Sequence, residues 1–285
     1  MEKLIHLTDP HLVSPGRRLF ASDPQARLAP AIDTINRQHG DAKAVFVTGD
    51  LTHWGEASAY QALRDLLSGL RVPYHLLLGN HDQRGAFHAT FPEVPRDAAG
   101  FVQYEVALES GVCLALDTLQ DGTTPGRLCP DRLAWLADRL QAHRERDLFI
   151  FLHHPPFDVG IPGMDRLRLL EGDEDLRTLL SAQGRVRHIF FGHVHRPIAG
   201  SWAGIGVSSL FATNHQVALQ FDAPEDVPGS LEPAALGVVL IDAMSVIVHM
   251  QSYSDPSPAF SLSNPKAEAA QSLEELIASA CGDQP

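Results

Sequence analysis

The chain has 285 residues, 44% hydrophobic and 20% charged, which is ordinary globular composition and enough to bury a core without disulfides. Its formal charge of −13 argues against a nucleic-acid polymer as partner, because such binding depends on Lys and Arg neutralising phosphates. The three cysteines, Cys113, Cys129 and Cys281, form no disulfide framework, and no stretch reaches the roughly 18 apolar residues a membrane span needs.

The first apolar run, Leu4–Thr8, reads as a buried strand. No basic segment followed by a long apolar one opens the chain, so the expected compartment is the cytoplasm. Residues Asp23–Gly40 have a helical pattern interrupted by Pro30, which predicts a kink there or a helix that starts there. A second strand is expected over Ala44–Thr48. Residues 56–70 then place Tyr60, Leu63, Leu67 and Leu70 on one helical face. A third strand, His75–Leu78, precedes a hairpin in which residues 101–108 and 111–118 flank a tight turn. Next come a helix with Pro130 in its first turn and Leu133, Leu136 and Leu140 on one face, a strand over Leu148–Leu152, and a helix from an acidic start at Asp173 to Gly184. The strand His188–Phe191 follows. Beyond residue 196 the pattern becomes β-rich, with strands expected over Ile205–Leu210, Val217–Phe221, Leu236–Asp242 and Ser245–His249. Asp222–Pro233 is acidic and Pro-rich and reads as a loop. The polar tail 251–285 carries one helical stretch, Ala267–Ala280, expected to be a peripheral helix or an assembly element. Strand–helix–strand order argues for an α/β sandwich with sheets inside and helices outside.

The buried strands share one feature. Each ends in side chains able to bind a metal: Asp9 and His11, then Asp50, then Asn80, His81 and Asp82, then His153 and His154, then His193 and His195. Gly49, Gly79 and Gly192 stand immediately before three of these groups, where they allow a sharp turn and close backbone approach. Taken singly, each is ordinary: Asp-x-His is common, Gly-Asp is often a turn, and one buried histidine is more often a satisfied core residue than a ligand. Their repetition at successive strand ends is not, because a polar group at the end of every buried strand is costly unless it is used. The carboxyl ends of strands in an α/β sheet gather on one edge, so these residues should converge in space.

The series Asp9-x-His11, Gly49-Asp50, Gly79-Asn80-His81-Asp82, His153 and Gly192-His193-x-His195 resembles the calcineurin-like metallophosphoesterase family over residues 4–196. The small bacterial class III cyclic-nucleotide phosphodiesterases and glycerophosphodiesterases are the most similar subgroup. The resemblance implies a four-layer αββα sandwich of two mixed β-sheets flanked by helices, with a dinuclear metal site at the C-terminal ends of the strands. It implies that residues 1–221 form the catalytic domain, with 222–285 as a β-rich extension and tail completing the second sheet, acting as a cap or an oligomerisation element. It implies one ion held by Asp9, His11, Asp50 and His195, and another by Asp50, Asn80, His153 and His193, with Asp50 as the bridge. His154 would replace His153 if the spacing were read one residue later. Mixed nitrogen and oxygen ligands suit Mn, Fe, Zn or Co.

The implied activity is hydrolysis of small phosphodiesters, 3′,5′-cyclic nucleotides or glycerophosphodiesters, by a metal-bound hydroxide. Asp50, Asn80 and His81 would be catalytic, His81 hydrogen-bonding the phosphoryl group or protonating the leaving oxygen. His81 and His215 would contact substrate. Asp82 would orient an imidazole or cap a helix starting at Gln83. Specificity is expected in Val13–Ser22, Gln120–Gly126, Phe157–Glu171 and Phe211–His215, with Arg17, Arg18, Phe20 and Met164 facing the leaving group. Competing readings are a phosphomonoesterase and a scaffold that kept the fold without the chemistry. The partner expected is a small phosphodiester, with homo-oligomerisation left open.

Overall fold

The structure, a computed structural model, describes residues 1–222, 226–254 and 259–281. In chain order it begins with β1 (Glu2–Leu7), α1 (Pro24–Gln38), β2 (Ala44–Thr48), α2 (Ala57–Leu67), β3 (Tyr74–Leu77) and α3 (Arg84–Thr90). The hairpin β4 (Tyr104–Ala107) and β5 (Val112–Ala115) follows, then β6 (Gly126–Arg127), α4 (Pro130–Ala142), β7 (Leu148–Phe151), α5 (Pro162–Asp165) and β8 (Leu169–Glu171). Next are α6 (Asp173–Gln183), β9 (Val186–Phe190), β10 (Ile198–Trp202), β11 (Ile205–Ser209), β12 (Gln216–Val217), β13 (Gly229–Ser230), β14 (Ala235–Ile241) and β15 (Val246–Ser252). The last helices are α7 (Pro265–Glu268) and α8 (Leu273–Cys281). Two compact units result, Met1–Tyr253 and a second from Ser254 onward.

The first unit contains two mixed sheets, in the orders β15-β14-β1-β2-β3 and β10-β11-β9-β7-β5-β4. In the first, β1, β2 and β3 are parallel, while β14 and β15 add antiparallel neighbours on the β1 side. In the second, β5, β7, β9 and β11 are parallel, and β4 and β10 close the edges antiparallel. Strand periodicity explains the layering. Along β7, Phe149 and Phe151 point into the core containing Phe46 of β2, with the Phe46 and Phe151 rings stacked at 4.0 Å. The alternate residues Leu148 and Ile150 belong to a second core with Leu136 and Leu140 of α4 and Leu176 and Leu180 of α6. Two sheets therefore lie face to face with helices on their outer sides, the expected four-layer sandwich.

Several expectations need correction. Of the two readings of Pro30, the helix starting there is excluded: Asp23 caps the helix by accepting from the Gln25 and Ala26 amides at 3.1 and 3.2 Å, and it runs from Pro24 through Pro30. The strand expected over Val217–Phe221 is only Gln216–Val217. Its ladder with β13 ends where Ala218 donates to the Pro228 carbonyl, because Pro228 has no N–H to return, and Leu219 and Phe221 are exposed. The single tail helix is two, because Ser272 accepts the Glu275 amide at 3.1 Å and starts α8 afresh. The β10 strand, unexpected from sequence, pairs with β11. The acidic interval 222–233 lies partly outside the described residues; where described it is loop apart from β13.

Candidate active site

The segments leaving β1, β2 and β3 meet those leaving β7, β9 and β11, and main-chain hydrogen bonds tie them together. His11 donates to the Asp50 carbonyl at 2.8 Å, Gly192 to that of His153 at 3.0 Å, and Thr213 to that of Thr8 at 3.1 Å. Asp9, His11, Asp50, His193 and His195 all have left-handed backbone, with φ of 51°, 46°, 48°, 67° and 47°. Side chains with a Cβ avoid that region, and such strain collects at functional sites. The glycines are required by contact: a Cβ on Gly79 would lie 2.2 Å from Asp50 Oδ1, and one on Gly192 would lie 2.2 Å from Thr8 Oγ1.

The strand-end residues converge as expected. His195 Nε2 lies 3.1 Å from Asp9 Oδ1 and 3.1 Å from His11 Nε2, while His11 Nε2 is 3.4 Å from Asp50 Oδ2. On the other side of Asp50, its Oδ1 is 3.4 Å from His153 Nε2, and Asn80 Oδ1 lies 3.2 Å from His153 Nε2 and 3.0 Å from His193 Nδ1. Asp50 therefore stands between two clusters of ligand atoms. His153 Nδ1 donates to the Thr48 carbonyl at 2.7 Å and His195 Nδ1 to the His215 carbonyl at 2.8 Å. Each neutral ring then turns a lone pair from Nε2 inward. His154 differs: its two nitrogens engage Thr118 Oγ1 at 2.8 Å and the Thr124 carbonyl at 3.0 Å.

The electrostatics favour a cation. Asp9 and Asp50 are both buried, and among the described residues neither has a Lys or Arg partner. Burial resists ionisation of Asp50, yet the charges of His153 and His81 outweigh it and hold its pKa well below the usual carboxylate range. Burial likewise opposes charge on His153, but Asp50 prevails and its pKa is pushed up to about 9. In the absence of metal, the cluster draws protons to balance its carboxylates; a divalent ion competes for the same lone pairs. His193 Nε2 is buried with no hydrogen-bond partner. Convergent lone pairs and buried carboxylates without a basic partner fit a metal centre.

The neighbouring residues include departures from expectation. Asp82 neither orients an imidazole nor caps a helix. It accepts from the amides of Leu51, Thr52 and Gly79 and from Tyr60 Oη at 2.9–3.1 Å, lashing the turn after β3 to the turn after β2. His81 lines a cavity of about 150 Å³ with His11, Asp50, Asn80, His193 and His215. Its Nδ1 donates to the His53 carbonyl at 2.9 Å, and its amide donates to Asp50 Oδ1 at 2.9 Å. Met164 also borders this cavity, and Phe20 lies beside it. Arg17 and Arg18 line neither: Arg17 pairs with Glu56 at 3.1 Å and covers Trp54, and Arg18 donates to the Ala21 carbonyl. His53 was not anticipated. Its Nδ1 is 3.0 Å from that of His11 and its ring stacks on His81 at 4.5 Å.

Known proteins are similar to this chain in sequence and fold. A profile of the calcineurin-like phosphoesterases matches residues 2–197. A probable cyclic nucleotide phosphodiesterase of Rhodopseudomonas palustris is 43% identical over 91% of this chain and 96% of its own length. A glycerophosphodiester phosphodiesterase of Enterobacter lignolyticus is 29% identical over 75% of this chain and 78% of its own. Among solved structures, a dimetal phosphatase from Danio rerio shares the fold with a TM-score of 0.67 at 14% identity, covering 88% of this chain and 96% of that one. On the strength of the profile match over residues 2–197 and the 43% identical relative, the chain belongs to the calcineurin-like phosphoesterase family and is a hydrolase.

Proposed function

We propose that the protein hydrolyses small phosphodiesters, 3′,5′-cyclic nucleotides or glycerophosphodiesters, with two divalent ions. The carrying observation is the placement of Asp50 between two ligand clusters, one of Asp9, His11 and His195, the other of Asn80, His153 and His193. In this reading Asp9, His11, Asp50 and His195 would hold one ion, and Asp50, Asn80, His153 and His193 the other. The relatives' names, cyclic nucleotide and glycerophosphodiester phosphodiesterases, support the substrate class. Mixed imidazole, carboxylate and amide donors suit Mn, Fe, Zn or Co. When bound, the ions supply Lewis-acid activation of water and of the phosphoryl oxygens.

The chain's own residues do the rest. Thr48 and His215 carbonyls hold the His153 and His195 tautomers that turn Nε2 inward. Asp82 fixes the two turns carrying Asp50 and Asn80, so those ligands keep their spacing without reorganisation. His81, anchored through Nδ1, keeps Nε2 for the substrate: when doubly protonated, it donates from Nε2 to a phosphoryl oxygen or delivers that proton to the leaving oxygen. His215 borders the same cavity and contacts the bound diester. The test is hydrolysis of bis(p-nitrophenyl) phosphate by the full chain with Mn²⁺. Activity should vanish with a chelator, return with metal, and fall at least a hundredfold in Asp50→Asn. Chelator-insensitive turnover, or p-nitrophenyl phosphate as the preferred substrate, would overturn the reading.

A further inference from the structure

Beside the metal-site cavity lies a larger one of about 380 Å³, sharing His215, Val217 and Val227 with it and walled further by Phe20, Ser230 and Leu231. Among the described residues lining it there is no Lys, Arg, Asp or Glu. Phe20 is presented there in an unusual way. Leu19 and Ser22 exchange main-chain hydrogen bonds at 2.9 Å, and the two residues between them, Phe20 and Ala21, have φ of 50° and 62°. That is a tight turn with left-handed backbone at both central positions, where Gly or Asn is the ordinary choice. The sequence places a phenylalanine there instead and leaves it 60% exposed. The ring lies 4.7 Å from His215 and 6.1 Å from His53. A strained, exposed aromatic contributes little to the core, so what keeps it is on the cavity side.

We infer that this cavity is the subsite for the heteroaromatic base of a nucleotide diester, with Phe20 as its stacking platform; the inference rests on the diesterase reading above. A base is flat, apolar on its faces and uncharged, matching Phe20 and the aliphatic walls of Val217, Val227 and Leu231. A glycerol leaving group offers no face to stack, and an ammonium head group finds no carboxylate on the described walls. The geometry therefore selects nucleotides over glycerophosphodiesters at one shared metal site.

The test compares kcat/KM of the Mn²⁺-loaded full chain for 3′,5′-cAMP and glycerophosphoethanolamine. The wild type should favour cAMP. Phe20→Ala should lower the cAMP to glycerophosphoethanolamine ratio about tenfold, mainly through KM, as expected for loss of one stacked base. Phe20→Trp, which keeps a stacking face, should restore it. An unchanged ratio in Phe20→Ala, or a wild type preferring the glycerol diester, would overturn the assignment. Calorimetric binding of 5′-AMP and of glycerol 3-phosphate decides the matter without turnover. AMP should bind more tightly and Phe20→Ala should erase the difference; equal affinities in the wild type would also overturn it. Failure to hydrolyse bis(p-nitrophenyl) phosphate would count against the diesterase reading, and the AMP comparison would still judge the pocket.

Discussion

At the residue scale, His53 acts on two neighbours at once. If His11 offers Nε2 to a metal, its Nδ1 must carry a proton, and His53 Nδ1, 3.0 Å away, must accept it. The His53 carbonyl meanwhile takes the Nδ1 proton of His81. One residue thus sets the tautomers of a candidate ligand and of the candidate acid. Losing such a partner typically lowers metal affinity about 10–100-fold. His53→Ala should do so in a competition titration against a chelator, while His53→Asn, which keeps an acceptor, should recover most of the loss. Equal affinity of wild type and His53→Ala would refute this role. Sequence reading reached the strand-end residues because each follows an apolar run. It missed His53, which follows Asp50 by one turn of loop and looks like any surface histidine until its ring is seen against His11 and His81.

At the scale of elements, the site depends on turns that begin where strands stop. Gly79 is the sharpest case, since a methyl there would meet Asp50 Oδ1 at 2.2 Å and the Asp50 amide at 2.4 Å. The second is a main-chain atom, and the first is buried and held by the His81 amide at 2.9 Å. Forcing atoms into a packed site usually costs about 1–3 kcal/mol. Gly79→Ala should therefore lower the thermal midpoint by several degrees and reduce bound metal; retention of full metal content would show that the β3 turn is more compliant than its contacts imply. The parallel strands and most helices were legible because hydrophobic period and end signals agree there. What was not legible depended on partners distant in the chain. Val217–Phe221 has strand-like composition, but among the described residues its pairing stops at Pro228. Asp82 has the place of a cap but accepts from the Leu51 and Thr52 amides, some thirty residues earlier, as well as from Gly79 in its own turn.

For the whole first unit, burial of imidazoles away from the site sets its response to acid. Burial pushes the pKa of His188 down to about 4 and that of His75 down to about 4, against an ordinary value of 6.5. The unfolded chain then binds more protons than the folded one between these values, so stability rises with pH there. It is complete above about 6.5 and is lost progressively as pH falls toward 4. Urea midpoints at pH 7.5, 5.5 and 4.5 should decrease in that order. His188→Gln retains a partner for Ser208 Oγ, 2.8 Å from His188 Nε2, and should flatten the decline. A slope unaffected by that change would assign the acid sensitivity elsewhere.

The seating of β1 also governs when this protein can mature. The strand that delivers Asp9 and His11 lies between β2 and β14, and while β2 follows it closely in the chain, β14 begins only at Ala235. During translation, at about 5–20 residues per second, one flank of β1 stays unpaired while more than two hundred further residues are added. The nascent chain thus carries an apolar, open sheet edge for about 10–50 s before its late partner emerges from the ribosome. Ribosome-bound chains halted before Ala235 should be recognised by holdase chaperones, and release from them should coincide with emergence of β14.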